Sequence, residues 1–99
     1  MKPGLDELQQ RLLQRFPDAR LAMTDDSHLH AGHIGSAGGA GHFSVDIVSS
    51  AFGGLSRIAR HRLVYDALAD WMPHRIHALI VKAKTPAESA AAAVSAPSK

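Results

Sequence analysis

The sequence contains no cysteine, and this absence limits the metal chemistry that the chain can perform alone. Without thiolates, the chain by itself holds neither a cysteine-ligated iron–sulfur cluster nor a cysteine-rich zinc site. The sequence also lacks any apolar run that approaches the roughly 18 residues of a membrane-spanning helix. No apolar stretch that resembles a secretory signal follows Lys2. We therefore expect a cytoplasmic protein that does not interact with membranes.

Groups arranged for catalysis are missing as well. The sequence has no cysteine nucleophile, no Gly-x-Ser-x-Gly turn and no glycine-rich phosphate loop that ends in lysine. Asp25 and Asp26 are neighbours, and the side chains of neighbouring residues point apart in a strand or turn. Ser27 and His28 are also neighbours, and adjacent residues rarely form a nucleophile and its base. The sequence therefore predicts a protein that is not an enzyme.

Histidine and glycine are concentrated in residues 26–42. This segment holds five of the eight glycines and four of the seven histidines, namely His28, His30, His33 and His42. Imidazole is the commonest protein metal ligand, and glycine allows a loop to bend so that ligands converge. The segment is either a mobile, pH-sensitive surface or half of a site that another molecule completes. A zinc site from its first three histidines is a further alternative, which the ordering entropy of a glycine-rich loop disfavours.

Hydrophobic periodicity predicts a helix and two strands in the first half of the chain. Residues 5–16 have the apolar spacing of an amphipathic helix, which Pro17 ends. Apolar residues 21–23 predict a short strand. The alternation over residues 42–47 predicts a half-buried strand with Phe43, Val45 and Ile47 on one face. The glycines of residues 38–41, which precede it, are typical of a flexible linker.

A second long helix and a third strand are predicted in the other half. The helix starts at Ser56, which can cap it, and extends to about Met72. Its apolar stripe predicts burial of Leu55, Ile58, Ala59, Leu63, Ala67, Leu68 and Trp71. Residues 76–83 form a strand with apolar residues on both faces, which is typical of a covered position in a sheet. The order α-β-β-α-β predicts a single small α+β domain, with helices packed on one sheet.

Basic residues are concentrated in the third quarter of the chain. Residues 56–84 carry six lysines and arginines against two aspartates. Near the start of the second helix lie Arg57, Arg60, His61 and Arg62. Helix N-termini and arginine both favour phosphate, so this group predicts contact with DNA. The alternatives are a solvated charged face and a surface that docks an acidic partner protein.

The C-terminal segment contains a helix signal followed by a polar end. Thr85-Pro86-Ala87-Glu88 has the form of a capping box with proline at the first helical position. The alanines that follow can form one or two helical turns. We expect the domain to span residues 1–88 and an Ala/Ser-rich disordered tail to span residues 89–99.

Five short motifs, in this order and spacing, resemble the BolA family. They are Asp26-Ser27-His28-Leu29-His30, His42-Phe43, Val48-Ser49-Ser50-Ala51-Phe52-Gly53-Gly54, Arg60-His61-Arg62-Leu63-Val64-Tyr65, and Ile76-His77-Ala78-Leu79 with Thr85-Pro86 after it. The resemblance covers about residues 5–88. It implies a fold similar to a type II KH domain, with a three-stranded mixed sheet and helices on one face.

The resemblance also implies function. Members of the family bind monothiol glutaredoxins and share a [2Fe–2S] cluster with them in iron homeostasis. Bacterial members are also described as DNA-binding transcriptional regulators of morphology and stress response, which is the alternative function. We expect the isolated chain to be a monomer or weak homodimer with no cluster bound.

In the family pattern, the position of His77 supplies one cluster ligand and the glycine-rich loop supplies the other, as histidine or cysteine. His30 is the best match for the loop ligand, and His33 is an alternative because loop length varies. His28 and His42 flank them and could tune or replace a ligand. By strand alternation, His77 shares a face with Leu79 and Val81. A glutaredoxin cysteine and a glutathione thiolate would complete the four ligands that a [2Fe–2S] cluster needs.

Overall fold

The computed structural model describes residues 2–27 and 40–95, with side chains to residue 91. Its elements are helix α1 (Leu5–Arg15), strands β1 (Arg20–Asp25) and β2 (Gly41–Val48), helix α2 (Arg57–Ala67), strand β3 (Ile76–Lys84) and helix α3 (Pro86–Ser95). This confirms the predicted α-β-β-α-β order, with a short helix after it. In the described part of the chain, no helix has the length and apolar character of a membrane span.

The three strands form one mixed sheet in the order β1-β2-β3. Strand β1 pairs with β2 in antiparallel orientation, and β2 pairs with β3 in parallel orientation. The predicted mixed sheet is therefore confirmed. The prediction that β3 occupies a covered position is wrong, because β3 lies at an edge of the sheet and one of its faces is open. Ile80, on that open face, is 60% exposed.

Helices α1 and α2 pack on one face of the sheet. The core residues brought together there include Leu8 and Leu12 of α1, Val64 of α2, and Phe43, Val45 and Ile47 of β2. The alternation predicted for β2 is thus confirmed. Phe16, just after α1, contacts Phe52 with ring centroids 5.4 Å apart, which closes the end of this core.

Helix α2 differs from its prediction in length and in the face that it buries. It ends at Ala67 and is followed by a 3-10 turn (Ala69–Trp71), and Arg11 of α1 stabilises this junction by donating to the Ala67 carbonyl and pairing with Asp70. The predicted burial of Ile58 is wrong, since this side chain is 64% exposed, whereas Val64 is fully buried.

Helix α2 buries a different face from the one predicted because several of its side chains bind the edge of β3. Three side chains of the helix donate hydrogen bonds to alternate carbonyls of the strand, which point away from β2. The pairs are Tyr65 Oη with Leu79 (2.6 Å), His61 Nε2 with Val81 (2.9 Å) and Arg60 Nη1 with Ala83 (3.1 Å). Side chains of α2 therefore take the place of a fourth strand and satisfy edge carbonyls that would otherwise need water.

Helix α3 begins with the predicted capping box. The Thr85 N–H donates to Glu88, and the Glu88 N–H donates to Thr85 Oγ1. Because this cap is followed by alanines, the helix extends to Ser95, so the tail expected from residue 89 begins inside a helix instead. Glu88 also accepts two hydrogen bonds from Arg60, which ties α3 to α2.

Asp18 connects the turn after α1 to the turn after β2. Its carboxylate accepts hydrogen bonds from Ser49 Oγ, the Ser50 N–H and Ser50 Oγ, at 2.6–2.8 Å. These bonds, with that of Ser49 the largest cause, lower the pKa of Asp18 from 3.8 to about 2. The stabilisation is therefore complete above the unfolded-state pKa and is lost as the pH falls through the folded-state pKa.

We expect an Asp18→Asn variant to be less stable than the wild type at pH 6, because the amide oxygen accepts fewer bonds. The difference should shrink as the pH falls from about 4 to about 2, where the wild-type carboxylate becomes protonated. Urea unfolding at a series of pH values measures this difference. A constant gap between the two proteins over that range would contradict the assignment.

Candidate functional site

The pairing of β2 with β3 is irregular at its start. Gly41 is opposite Ile76, but His42 is opposite Ala78, so β3 contains one extra residue, His77. Such a bulge interrupts the alternation of side chains along a strand. Ile76 is fully buried as a result, and His77 is exposed.

The bulge corrects the prediction that His77 shares a face with Leu79 and Val81. Those two side chains point into the core and are buried, whereas the His77 side chain lies on the open side of the sheet. Regular alternation predicts the opposite, because it assumes one residue on β3 for each residue on β2. The structure therefore leaves the candidate ligand accessible to solvent.

His42 is the residue that the structure brings to His77. The two ring centroids are 5.1 Å apart with their planes at 54°, and His42 is only 6% exposed. The backbone of His42 is fixed, since its N–H donates to Ser27 Oγ and its carbonyl accepts from the Asp26 N–H. One buried and one exposed imidazole therefore meet at the end of the sheet to which residues 28–39 are joined.

The loop histidines of the prediction, His30 and His33, lie outside the described residues, as does His28. The choice between them as a cluster ligand stays a prediction. In the described part of the chain, no group of three or more histidine, aspartate or glutamate side chains is arranged to hold a metal ion. The described residues bring two imidazole rings together at this place, those of His42 and His77.

Gly41 holds the bulge in place from the side of β2. Its N–H donates to the carbonyl of Arg75 at 2.9 Å. A β-carbon at this position would lie 2.7 Å from Phe43 Cζ and 2.9 Å from Lys2 Cβ. The sequence predicts that this glycine belongs to a flexible linker. In the structure it is the first residue of β2, and Phe43 and Lys2 pack against it.

The Arg75 side chain holds the start of β3 from the other side. Its guanidinium lies 4.6 Å from the ring centroid of Trp71 and donates to Glu7 of α1 at 3.2 Å. Arg11 lies over the same indole ring at 4.2 Å. These contacts join α1 to the turn that precedes β3. The position of His77 therefore depends on the packing of α1 as well as on the pairing of β3 with β2.

The two aspartates before the loop point apart, as the sequence predicts. Asp25 accepts hydrogen bonds from Lys2 Nζ (2.8 Å) and the Ser27 N–H (2.9 Å). Burial opposes ionisation of Asp25, but these bonds outweigh it and lower its pKa to about 2. Asp26 instead accepts from the hydroxyl groups of Thr24 and Ser44, on the same open side of the sheet as His42.

The four residues predicted to contact DNA have two different roles in the structure. Arg57 and Arg62 are exposed, whereas Arg60 and His61 bind the edge of β3. The Arg60 side chain is only 14% exposed. Sequence reasoning missed this role because a basic residue on a helix is usually solvated, and nothing in the pattern shows that a strand edge lies beside it.

Comparison with known proteins confirms the resemblance. The family model described as BolA-like protein matches residues 12–88. An uncharacterized protein in the cobS 5′ region of Sinorhizobium sp is 40% identical over 85 residues, which cover 84% of this chain and 91% of that protein. SufE-like protein 1 of Arabidopsis thaliana, named chloroplastic/mitochondrial, is 43% identical over 86 residues, but these span 82% of this chain and only 23% of that protein.

Solved structures agree with the sequence comparison. The BolA domain of SufE1 from Arabidopsis thaliana has a TM-score of 0.73 at 41% identity and covers 84% of this chain and 92% of that one. The solution structure of BolA1 from Mus musculus has a TM-score of 0.73 at 34% identity and covers 100% of this chain and 80% of that one. The expected cytoplasmic location and the absence of catalysis stay predictions. The fold and the sequence together show that this chain belongs to the BolA-like family.

Proposed function

We propose that this chain supplies the histidine half of a binding site for a [2Fe–2S] cluster, and that a monothiol glutaredoxin and glutathione supply the thiolate half. The cluster is the cargo of the pair in iron homeostasis. The observation that carries the proposal is the bulge in β3, which turns His77 out of the core and places its ring 5.1 Å from that of His42.

The donor set of the chain fits half a cluster. Two imidazoles at this separation are close enough to contact one metal atom, and the chain has no cysteine to provide the remaining ligands. Histidine in place of cysteine on one iron raises the reduction potential of the cluster. The His77 ring is exposed on β3, where a partner can contact it. The buried His42 ring packs against it from the side of the protein.

The direct test is to reconstitute the chain and a monothiol glutaredoxin with iron, sulfide and glutathione, and to record visible circular dichroism. We expect the signal of the mixed complex to be lost in a His77→Ala variant, because one iron loses its ligand. His74→Ala is the matched control, since His74 is exposed in the turn before β3. An unchanged spectrum for His77→Ala would refute the proposal.

The second ligand is assigned by the same assay. His42→Ala removes the ring that contacts His77, while His30→Ala and His33→Ala remove the candidates from the loop. The variant whose spectrum matches that of His77→Ala identifies the partner ligand. We expect His42→Ala at least to alter the spectrum, because His42 fixes the surroundings of His77.

DNA binding stays the alternative prediction. The observation in its favour is a cleft between α2 and β3, in which Arg57, Lys82 and Lys84 lie beside Arg60 and His61. Because Arg60 and His61 bind β3, the cations free to contact phosphate are fewer than the sequence predicts. Any such binding should therefore be weak and strongly reduced by salt.

A further inference from the structure

Strand β1 forms the second edge of the sheet, and its surroundings differ from those of β3. Every residue of β1 is exposed or only partly buried, whereas most of β2 is buried. Side chains of α2 bind the outward carbonyls of β3 at the opposite edge. No described residue binds the edge of β1 in this way. The edge of β1 is therefore the one at which the sheet can accept a further strand.

The backbone of β1 alternates between groups that face β2 and groups that face outward. The Asp26 N–H, just after the strand, donates to the His42 carbonyl, so the even-numbered residues of β1 face β2. The N–H and C=O groups of Leu21, Met23 and Asp25 therefore point away from the sheet. Within residues 2–27 and 40–95, these groups have no hydrogen-bond partner. Each of the three residues thus offers one donor and one acceptor to a strand laid beside it.

Strand β1 is complementary to a second copy of itself. When the copies lie antiparallel about a two-fold axis at Met23, this residue is opposite Met23 of the second copy, and Leu21 is opposite Asp25 of the second copy. All the outward residues are then paired, with two hydrogen bonds for each pair. Shifting the register in one direction places Asp25 opposite Ala19, whose N–H already donates within its own turn. Shifting it in the other direction places Leu21 opposite Ser27, whose N–H already donates to the Asp25 side chain.

The same register pairs opposite charges on the open face of the sheet. Arg20 of each copy lies opposite Asp26 of the other copy, because side chains of even-numbered residues share that face. Asp26 keeps the bonds from its two hydroxyl donors, since a carboxylate accepts up to about four hydrogen bonds. On the core side, the partly buried side chains of Leu21 and Met23 gain further cover from the second copy. Backbone, charge and apolar surface therefore favour the same arrangement.

We infer that two copies of this chain associate through β1 and form one continuous sheet, to which each copy contributes its three strands. The same strand of both copies forms the interface, so the symmetry is closed, and both outer edges of the joined sheet are β3. Because a single strand from each copy makes the contact, we expect a weak dimer with a dissociation constant in the micromolar range. The inference is independent of the proposed function, since neither histidine ring takes part in it.

A single introduced cysteine tests the register, because the natural sequence contains none. Met23→Cys places two thiols opposite each other at the two-fold axis, where the Cα atoms of a hydrogen-bonded pair lie about 5.5 Å apart, within the range of a disulfide. Leu21→Cys is the matched control, because this residue lies on the same face of β1 but about 13 Å along the strand from its counterpart. After mild oxidation, non-reducing gel electrophoresis should show a covalent dimer for Met23→Cys and little for Leu21→Cys. Equal cross-linking of the two variants would refute this register.

Charge reversal tests the ion pairs between the copies. We expect Arg20→Glu to weaken the dimer about tenfold in sedimentation equilibrium, because two attractive pairs become repulsive. Lys84→Glu, which makes the same change at an exposed residue of β3, should alter the affinity less than about twofold. Thermal unfolding checks that each variant folds.

A mixture of two charge variants gives a second, independent measurement. Asp26→Lys should also weaken the dimer on its own, since it sets two cations opposite each other. An equimolar mixture of Asp26→Lys with Arg20→Glu should restore association, because both ion pairs are attractive in the mixed dimer. A mixture that associates no better than either variant alone would overturn the inference. If the wild type stays monomeric at millimolar concentration, the inference is likewise refuted, and the edge of β1 is left for a strand of another protein.

Discussion

Replacing Gly41 with alanine is expected to lower the free energy of unfolding by about 1–3 kcal/mol, the usual range for overpacking a filled site. The added β-carbon would lie 2.7 Å from Phe43 Cζ and 2.9 Å from Lys2 Cβ. The Phe43 ring is almost completely buried and has little room to move. The strand must therefore shift, and His42 is the next residue along it.

Urea unfolding measures the loss of stability, and the cluster assay measures the shift of the histidine pair. Gly53→Ala is the matched control, because its β-carbon would lie no closer than 3.4 Å to Ser50 O and the backbone there suits any residue. We expect Gly41→Ala to weaken the His77-dependent circular dichroism signal and Gly53→Ala to leave it unchanged. Equal urea midpoints for the two variants would contradict the prediction, because they would show that Phe43 and Lys2 move aside at little cost in stability.

Replacing Arg60 with alanine is expected to destabilise the fold more than any other single change on the surface of α2. The guanidinium donates to the carbonyls of Leu55 (3.0 Å) and Ala83 (3.1 Å) and to both carboxylate oxygens of Glu88. Its removal leaves two carbonyls and one carboxylate without these donors. Tyr65→Phe removes a single bond to the same strand and should cost about 1 kcal/mol.

The effect of Arg60→Ala should also reach α3. The pKa of Glu88 is lowered to about 2, chiefly by the hydrogen bond from Arg60, and it should rise towards 4.5 in the variant. Amide hydrogen exchange in α3 should become faster because the helix loses its tie to α2. Arg57→Ala, which removes an exposed arginine one turn earlier, should change stability by less than about 0.5 kcal/mol. Equal effects of the two arginine substitutions would refute the structural role of Arg60.

The sequence predicts those elements whose side chains follow one simple period. The helix over residues 5–16 and the alternation of Phe43, Val45 and Ile47 are confirmed because each buries a single face against the core. The capping box at Thr85 is confirmed because its two bonds join residues three positions apart. These features depend on neighbouring residues alone.

The missed features depend on contacts between distant parts of the chain. Ile58 is exposed and Val64 is buried, the reverse of what the apolar stripe predicts. The reason is that one side of α2 faces a strand edge, and helical periodicity does not show that edge. The exposure of His77 depends on one extra residue in its pairing with β2. Periodicity therefore predicts the candidate ligand in the right strand but on the wrong face.

The hydrogen bonds from α2 to β3 have a consequence for solubility. A strand edge with free carbonyls is a template on which another chain can add a strand and begin an ordered aggregate. Along β3, the carbonyls of Leu79, Val81 and Ala83 already have donors, so a further strand would have to displace these side chains to pair with the edge. The side chains of α2 therefore oppose the growth of a continuous sheet from this edge.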